Sequence, residues 1–130
     1  MRLTVNSMAH KTFVFDTYAI IEIIRGNANY RKYVGSRMII TKLTLFELVY
    51  YLLKNFKKFT AEKYLTTYKQ FVKEFDEPII LESAMMKLRF KDRNLSMTDC
   101  INYVLAKLLD VKLLTGDEKF KDLENVEFIK

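Results

Sequence analysis

Short apolar runs of strand type alternate along this chain with longer stretches of helical periodicity, and that alternation limits its folds more than any other feature. Thr12-Phe-Val-Phe-Asp16 reads as a buried strand closed by an acid. Thr17 to Ile24 reads as a helix that stops near Gly26, with a short helix over Ala28 to Val34. Met38-Ile-Ile-Thr41 is the second strand. Leu45, Leu48, Val49 and Leu52 share one face of a helix predicted from Thr44 to Asn55. Thr60 is the expected N-cap of a helix running through about Phe75. Pro78-Ile-Ile-Leu81 reads as a short strand and Ser83 to Lys91 as a helix. Ser96 or Thr98 caps a helix that continues to about Asp110. Lys112-Leu-Leu-Thr115, stopped by Gly116, and Val126-Glu-Phe-Ile129 are the last two strands.

This order implies βαβ units and an α/β fold, with a mainly parallel sheet of about five strands covered on both faces. Crossovers in such sheets are right-handed, and ligands gather at the carboxyl ends of the strands. A length of 130 residues suits one domain, and no linker, repeat or low-complexity segment divides it. Residues 10–130 are read as that domain. Residues 1–9 are set apart as an extension of open origin, since Met8 is also a plausible start. Three Gly and one Pro argue against a loop-rich, collagenous or disordered chain. Cys100, the lone cysteine, excludes an intramolecular disulfide, argues against a Cys-based zinc site, and fits a reducing cytoplasm. No apolar run is long enough to span a membrane, and the first residues have no apolar signal core. The net charge of +6 favours acidic partners without choosing among them.

The acids carry the chemistry. Asp16 follows the first strand directly, and Asp117 follows Leu113-Leu114 across a Thr-Gly turn, so both belong on one edge of a parallel sheet. Asp99 lies in the first turn of the helix leading into the Asp117 strand, and Glu47 in the first turn of the helix after the second strand. Each has a plainer reading. Thr44-Leu-Phe-Glu47 has the form of a capping box, Asp99 suits a helix macrodipole, and Asp117 suits a turn. Asp16 is harder to dismiss, because a carboxylate closing a buried strand needs a partner. Together, four clustered carboxylates raise one another's pKa unless a cation neutralises them. Oxygen-liganded Mg²⁺ or Mn²⁺ would do so, and would assist displacement at phosphorus. A basic protein with an acidic metal cleft suits a nuclease.

Phe13-Val-Phe-Asp16-Thr17, Leu45-Phe-Glu47-Leu48, Ser96-Met-Thr-Asp99-Cys-Ile-Asn-Tyr-Val-Leu-Ala106 and Leu113-Leu-Thr-Gly-Asp117-Glu-Lys-Phe120 resemble, in order and spacing, the PIN-domain family. The length resembles its VapC branch, the ribonuclease toxins of type II toxin–antitoxin pairs. The resemblance implies an α/β/α sandwich and metal-dependent cleavage of RNA phosphodiesters. It implies Asp16, Glu47, Asp99 and Asp117 as catalytic, metal-binding acids, with Ser96 and Thr115 in support. An antitoxin partner and a homodimer also follow from it. Cys100 stands where the family often has Ala. Lys119 stands where a second acid or a His is common, which bears on a fifth metal contact and leaves the four acids untouched.

Arg25, Arg31, Lys32, Arg37 and Lys42 occupy an acid-free interval with Tyr30 and Tyr33 interleaved. That pattern fits either an RNA-backbone footprint with stacking rings or a solvated face over packed tyrosines. By position before the Ser96–Asp99 segment, Arg89 and Arg93 are candidate RNA contacts. His10, the only histidine, precedes the first strand, which argues against a His-dependent triad or zinc site. Tyr50, Tyr51, Phe56 and Phe59 exceed what one core face needs. The rival readings are a PIN-type RNA-processing or quality-control nuclease that is not a toxin, and a binding module that holds nucleic acid without cutting. A phosphoacceptor receiver domain is a third, opposed by the missing Asp at the end of Met38-Ile-Ile-Thr41.

Overall fold

The computed structural model describes residues 7–130. Most of the extension expected over 1–9 therefore lies outside the described residues; its end joins a 3-10 turn, Ser7–His10. Four parallel strands form the sheet: β1 (Thr12–Phe15), β2 (Arg37–Ile39), β3 (Lys112–Thr115) and β4 (Val126–Phe128). They lie in the order β2-β1-β3-β4. β1 pairs with β2 on one side, through Phe13 and Met38, and with β3 on the other, through Val14 and Leu113. The chain leaves β1 in one direction and β3 in the other, so their carboxyl ends flank a topological switch, where parallel sheets open a crevice.

The strands are apolar on both sides because both sides are covered. Strand side chains alternate, so Phe13 and Phe15 enter one core and Val14 the other; Leu114 and Leu113 divide in the same way. Helices α1 (Thr17–Ile24), α2 (Lys42–Asn55) and α3 (Lys58–Tyr68) cover the Phe13 face with Ile20, Leu45, Leu48, Leu52 and Ala61. Helices α4 (Glu77–Arg89) and α5 (Met97–Leu108) cover the Val14 face with Ile79, Met86, Ile101 and Leu105. This is the α/β/α sandwich.

Pro78-Ile-Ile-Leu81 is not a strand. It forms the first turn of α4, with Pro78 at its start. Proline's fixed φ and missing N–H suit that position, and Ile79, Ser83 and Met86 then fall on one buried helical face. Among the described residues the sheet consequently has four strands instead of five. At its β2 edge a single parallel bridge joins Ile40 to Val72. α2 begins earlier than predicted, because Thr41 is its N-cap and accepts from Thr44 N at 3.3 Å. α3 begins after Lys57 instead of Thr60 and gives way to a 3-10 turn, Lys69–Phe71.

Candidate functional site

Asp16 is placed by the end of β1. Its backbone N–H extends the ladder to Leu114 O at 3.0 Å, and the residue then caps α1. Asp16 Oδ1 accepts from Thr17 N at 2.8 Å and Oδ2 from the Thr115 hydroxyl at 2.7 Å. The same Thr115 oxygen accepts from Asp117 N at 3.1 Å, so one side chain ties the ends of β1 and β3 together. Gly116 is required between them. A Cβ there would overlap the Ile129 carbonyl oxygen and the Tyr18 ring. Asp117 Oδ1 accepts from Lys119 N at 3.0 Å, which fixes its carboxylate at the start of the following 3-10 turn.

Asp99 arrives from the other helical layer, at the first turn of α5. Ser96 and Asp99 form a reciprocal capping box: Ser96 Oγ accepts from Asp99 N at 3.0 Å, and Asp99 Oδ2 accepts from Ser96 N at 2.8 Å. The capping box thus belongs to Asp99 and not to Glu47. One oxygen from each of Asp16, Asp99 and Asp117 lies within 4.8 Å of the others. Asp16 is 5% exposed, and burial pushes its carboxyl up to about 7, with the Asp99 and Asp117 charges adding to the rise. Its bonds from Thr115 and Thr17 work in the opposite direction. Lys119 Nζ stands 3.3 Å from Asp99 Oδ2 and 3.8 Å from Asp117 Oδ2. Burial works against its charge, yet the two aspartates more than offset this and hold the ammonium above the ordinary lysine range.

Glu47 is not part of the three-aspartate group. Its Oε1 accepts from the Thr17 hydroxyl at 2.6 Å, while Thr17 N–H serves Asp16, so Thr17 links the fourth acid to the first. Beneath them, buried Asn102 accepts from the Thr41 hydroxyl at 3.0 Å and donates to Thr44 Oγ1 at 2.8 Å. Thr44 lies one turn before Glu47 and Asn102 one turn after Asp99, so this bond sets the two helices that carry those acids. Sequence reasoning missed Thr17, Asn102 and the pairing of Lys119. Their partners are distant in the chain or, for Lys119, depend on how the turn after β3 folds back.

The other candidates separate clearly. Arg93 donates to Lys119 O at 3.0 Å and pairs with Asp122 at 2.8 Å, which engages its guanidinium. Arg89 is exposed, 5.9 Å from the centre of the Phe90 ring. Tyr30 and Tyr33 are buried and bond Ile129 O and Glu127, so neither offers a face to a base. Cys100 is buried, and burial raises its thiol pKa; it is a core residue rather than a nucleophile.

Three converging hard oxygen donors, one of them on a carboxyl that burial and its two acidic neighbours drive toward neutrality, suit a divalent ion of the Mg²⁺ or Mn²⁺ type. Soft or imidazole ligands are absent from the group. Among the described residues no helix is long and apolar enough to cross a membrane.

Comparison with known proteins bears on the fold and the family. The chain is similar in structure to a toxin–antitoxin complex component from Klebsiella pneumoniae, with 19% identity, a TM-score of 0.70, and 88% of this chain and 94% of that one covered. It is similar to a chain of VapBC-1 from nontypeable Haemophilus influenzae, with 16% identity, a TM-score of 0.70, and coverage of 90% and 96%. It is also similar to PAE2754 from Pyrobaculum aerophilum, with 18% identity, a TM-score of 0.63, and coverage of 92% and 90%. No curated protein matches it in sequence. The PIN domain family model matches residues 13–126, from the first core residue of β1 to the first residue of β4. On that match the chain is a member of the PIN domain family.

Proposed function

We propose that this protein is a metal-dependent endoribonuclease and the toxin of a type II toxin–antitoxin pair, acting in the cytoplasm. The observation that carries the nuclease reading is the convergence of Asp16, Asp99 and Asp117 at the switch between β1 and β3. Membership of the PIN domain family supports it. These three aspartates would hold Mg²⁺ or Mn²⁺. When bound, such an ion supplies Lewis-acid help to attack at phosphorus. Thr115 keeps the Asp16 carboxylate aimed by donating to Oδ2, and Ser96 does the same for Asp99 through its backbone N–H. Thr17 holds Glu47 Oε1, leaving Oε2 to orient the attacking water and take its proton. The net charge of +6 favours a phosphate backbone.

The toxin reading rests on likeness to chains of toxin–antitoxin complexes and on an unpartnered apolar row. Phe46, Tyr50 and Leu53 lie on one face of α2 at helical spacing, 73%, 57% and 49% exposed. Phe56, at the end of α2, and Phe59, in the first turn of α3, are also exposed, while Tyr51 is partly buried and packs against the core. Such a row suits the apolar side of an antitoxin tail, with an Arg of that tail reaching the carboxylates.

Incubation of the purified protein with a panel of structured RNAs, in Mg²⁺, Mn²⁺ or chelator, tests the nuclease reading. Endonucleolytic cuts that need metal and vanish in Asp99→Asn are expected. Metal-independent cutting, or equal cutting by Asp99→Asn, would overturn it.

A further inference from the structure

Lys119 is anchored at three points around the acidic site. Its N–H bonds Asp117 Oδ1 at 3.0 Å, its carbonyl accepts from Arg93 at 3.0 Å, and Arg93 is itself held by Asp122. Its ammonium stands between Asp99 and Asp117, at 3.3 and 3.8 Å. The backbone held in this way presents the partly exposed ammonium to the two aspartates as a cation of the site. One ammonium and one divalent ion together balance the three aspartates. A second divalent ion would need the Asp99–Asp117 side, where the ammonium already sits, and like charges at that range repel. A neutral or acidic side chain at this position would leave that side open.

We propose that Lys119 limits the site to a single divalent ion by occupying the second cation position between Asp99 and Asp117. The inference rests on the metal-dependent reading above and goes beyond it, since that reading holds for one ion or two. It makes Lys119 a residue that determines metal stoichiometry. Arg93 becomes a positioning residue that acts through the Lys119 backbone.

Mn²⁺ titration, followed by calorimetry and by electron paramagnetic resonance, tests this without any substrate. The wild type and Lys119→Arg, which keeps the charge, are expected to bind one Mn²⁺ per chain. Lys119→Met is expected to bind its first Mn²⁺ about tenfold more tightly, because a repelling neighbouring charge is gone. Lys119→Glu, which adds a ligand, is expected to bind two ions, with the dipolar broadening of a close Mn²⁺ pair. Thermal melts would confirm that the variants fold, and Lys119→Gln is a second neutral variant should Lys119→Met not fold. Two ions in the wild type, or neutral and acidic variants that match the wild type in affinity and stoichiometry, would overturn the role of Lys119 while leaving the metal site standing. No wild-type Mn²⁺ binding that Asp99→Asn reduces would overturn both.

Discussion

Thr115 donates its hydroxyl hydrogen to Asp16 Oδ2 at 2.7 Å, across 99 residues of sequence, and with the same oxygen accepts the backbone N–H of Asp117. The hydroxyl has one hydrogen, so these two bonds fix its direction. It favours the charged form of an aspartate that burial disfavours, and it ties the ends of the two strands that flank the crevice.

Thr115→Val should therefore lose both functions. The Asp16 carboxylate loses its donor, and Asp117 N loses its acceptor. Cleavage is expected to fall by roughly 10- to 100-fold, the usual range for a residue supporting a metal ligand. Stability should drop by about 1–3 kcal/mol for the orphaned group. Rate measurements beside a thermal melt check both, and an unaltered rate would reduce Thr115 to a packing residue.

Asp16 gives a pH-dependent stability in the metal-free protein. Its carboxyl rises from 3.8 to about 7 on folding, so between those values the folded state binds the extra proton. The stability it contributes is fully present below the lower value and is lost as pH rises through the upper one. The loss amounts to at most about 4 kcal/mol, at roughly 1.4 kcal/mol per pH unit. In chelator, Asp16→Asn should gain stability over wild type between pH 5 and pH 8. A difference independent of pH would contradict the assignment.

Glu47 separates structure from chemistry. It is not the partner of a cap, since Thr41 performs that function for α2. Glu47→Gln keeps an oxygen for the Thr17 hydroxyl, so the melting temperature should stay nearly constant. The rate should fall on the order of 100-fold if Oε2 handles the proton. A fully active Glu47→Gln would confine the chemistry to the three aspartates.

Gly116→Ala is expected to destabilise the protein by roughly 1–3 kcal/mol, the usual cost of overpacking. The added methyl meets the Ile129 carbonyl and the Tyr18 ring. A melt near the wild-type temperature would contradict the need for glycine between Thr115 and Asp117.

Much of this was legible in the chain. An acid closing an apolar strand marks the edge of a parallel sheet, and Asp16 and Asp117 were readable on that ground. Asp99 followed from the helix preceding β3. Local signals failed where two patterns competed. Pro78 followed by Ile-Ile-Leu fits a strand run as well as a helical first turn, and only the buried spacing of Ile79, Ser83 and Met86 decides between them. Thr44 and Glu47 have the spacing of a capping box, yet Thr41, three residues earlier, starts the helix. Thr17–Glu47 and Thr44–Asn102 contacts span 30 and 58 residues, so they exist only once the sheet has brought the helices together.

The most direct measurement is anomalous diffraction at the manganese edge from a crystal of the wild-type protein grown with Mn²⁺. One peak is expected at the carboxyl ends of β1 and β3, about 2 Å from oxygens of Asp16, Asp99 and Asp117. The Lys119 ammonium should remain beside it. A crystal with no peak there, or with manganese only on acids elsewhere on the surface, would contradict the claim that these three aspartates form a metal site.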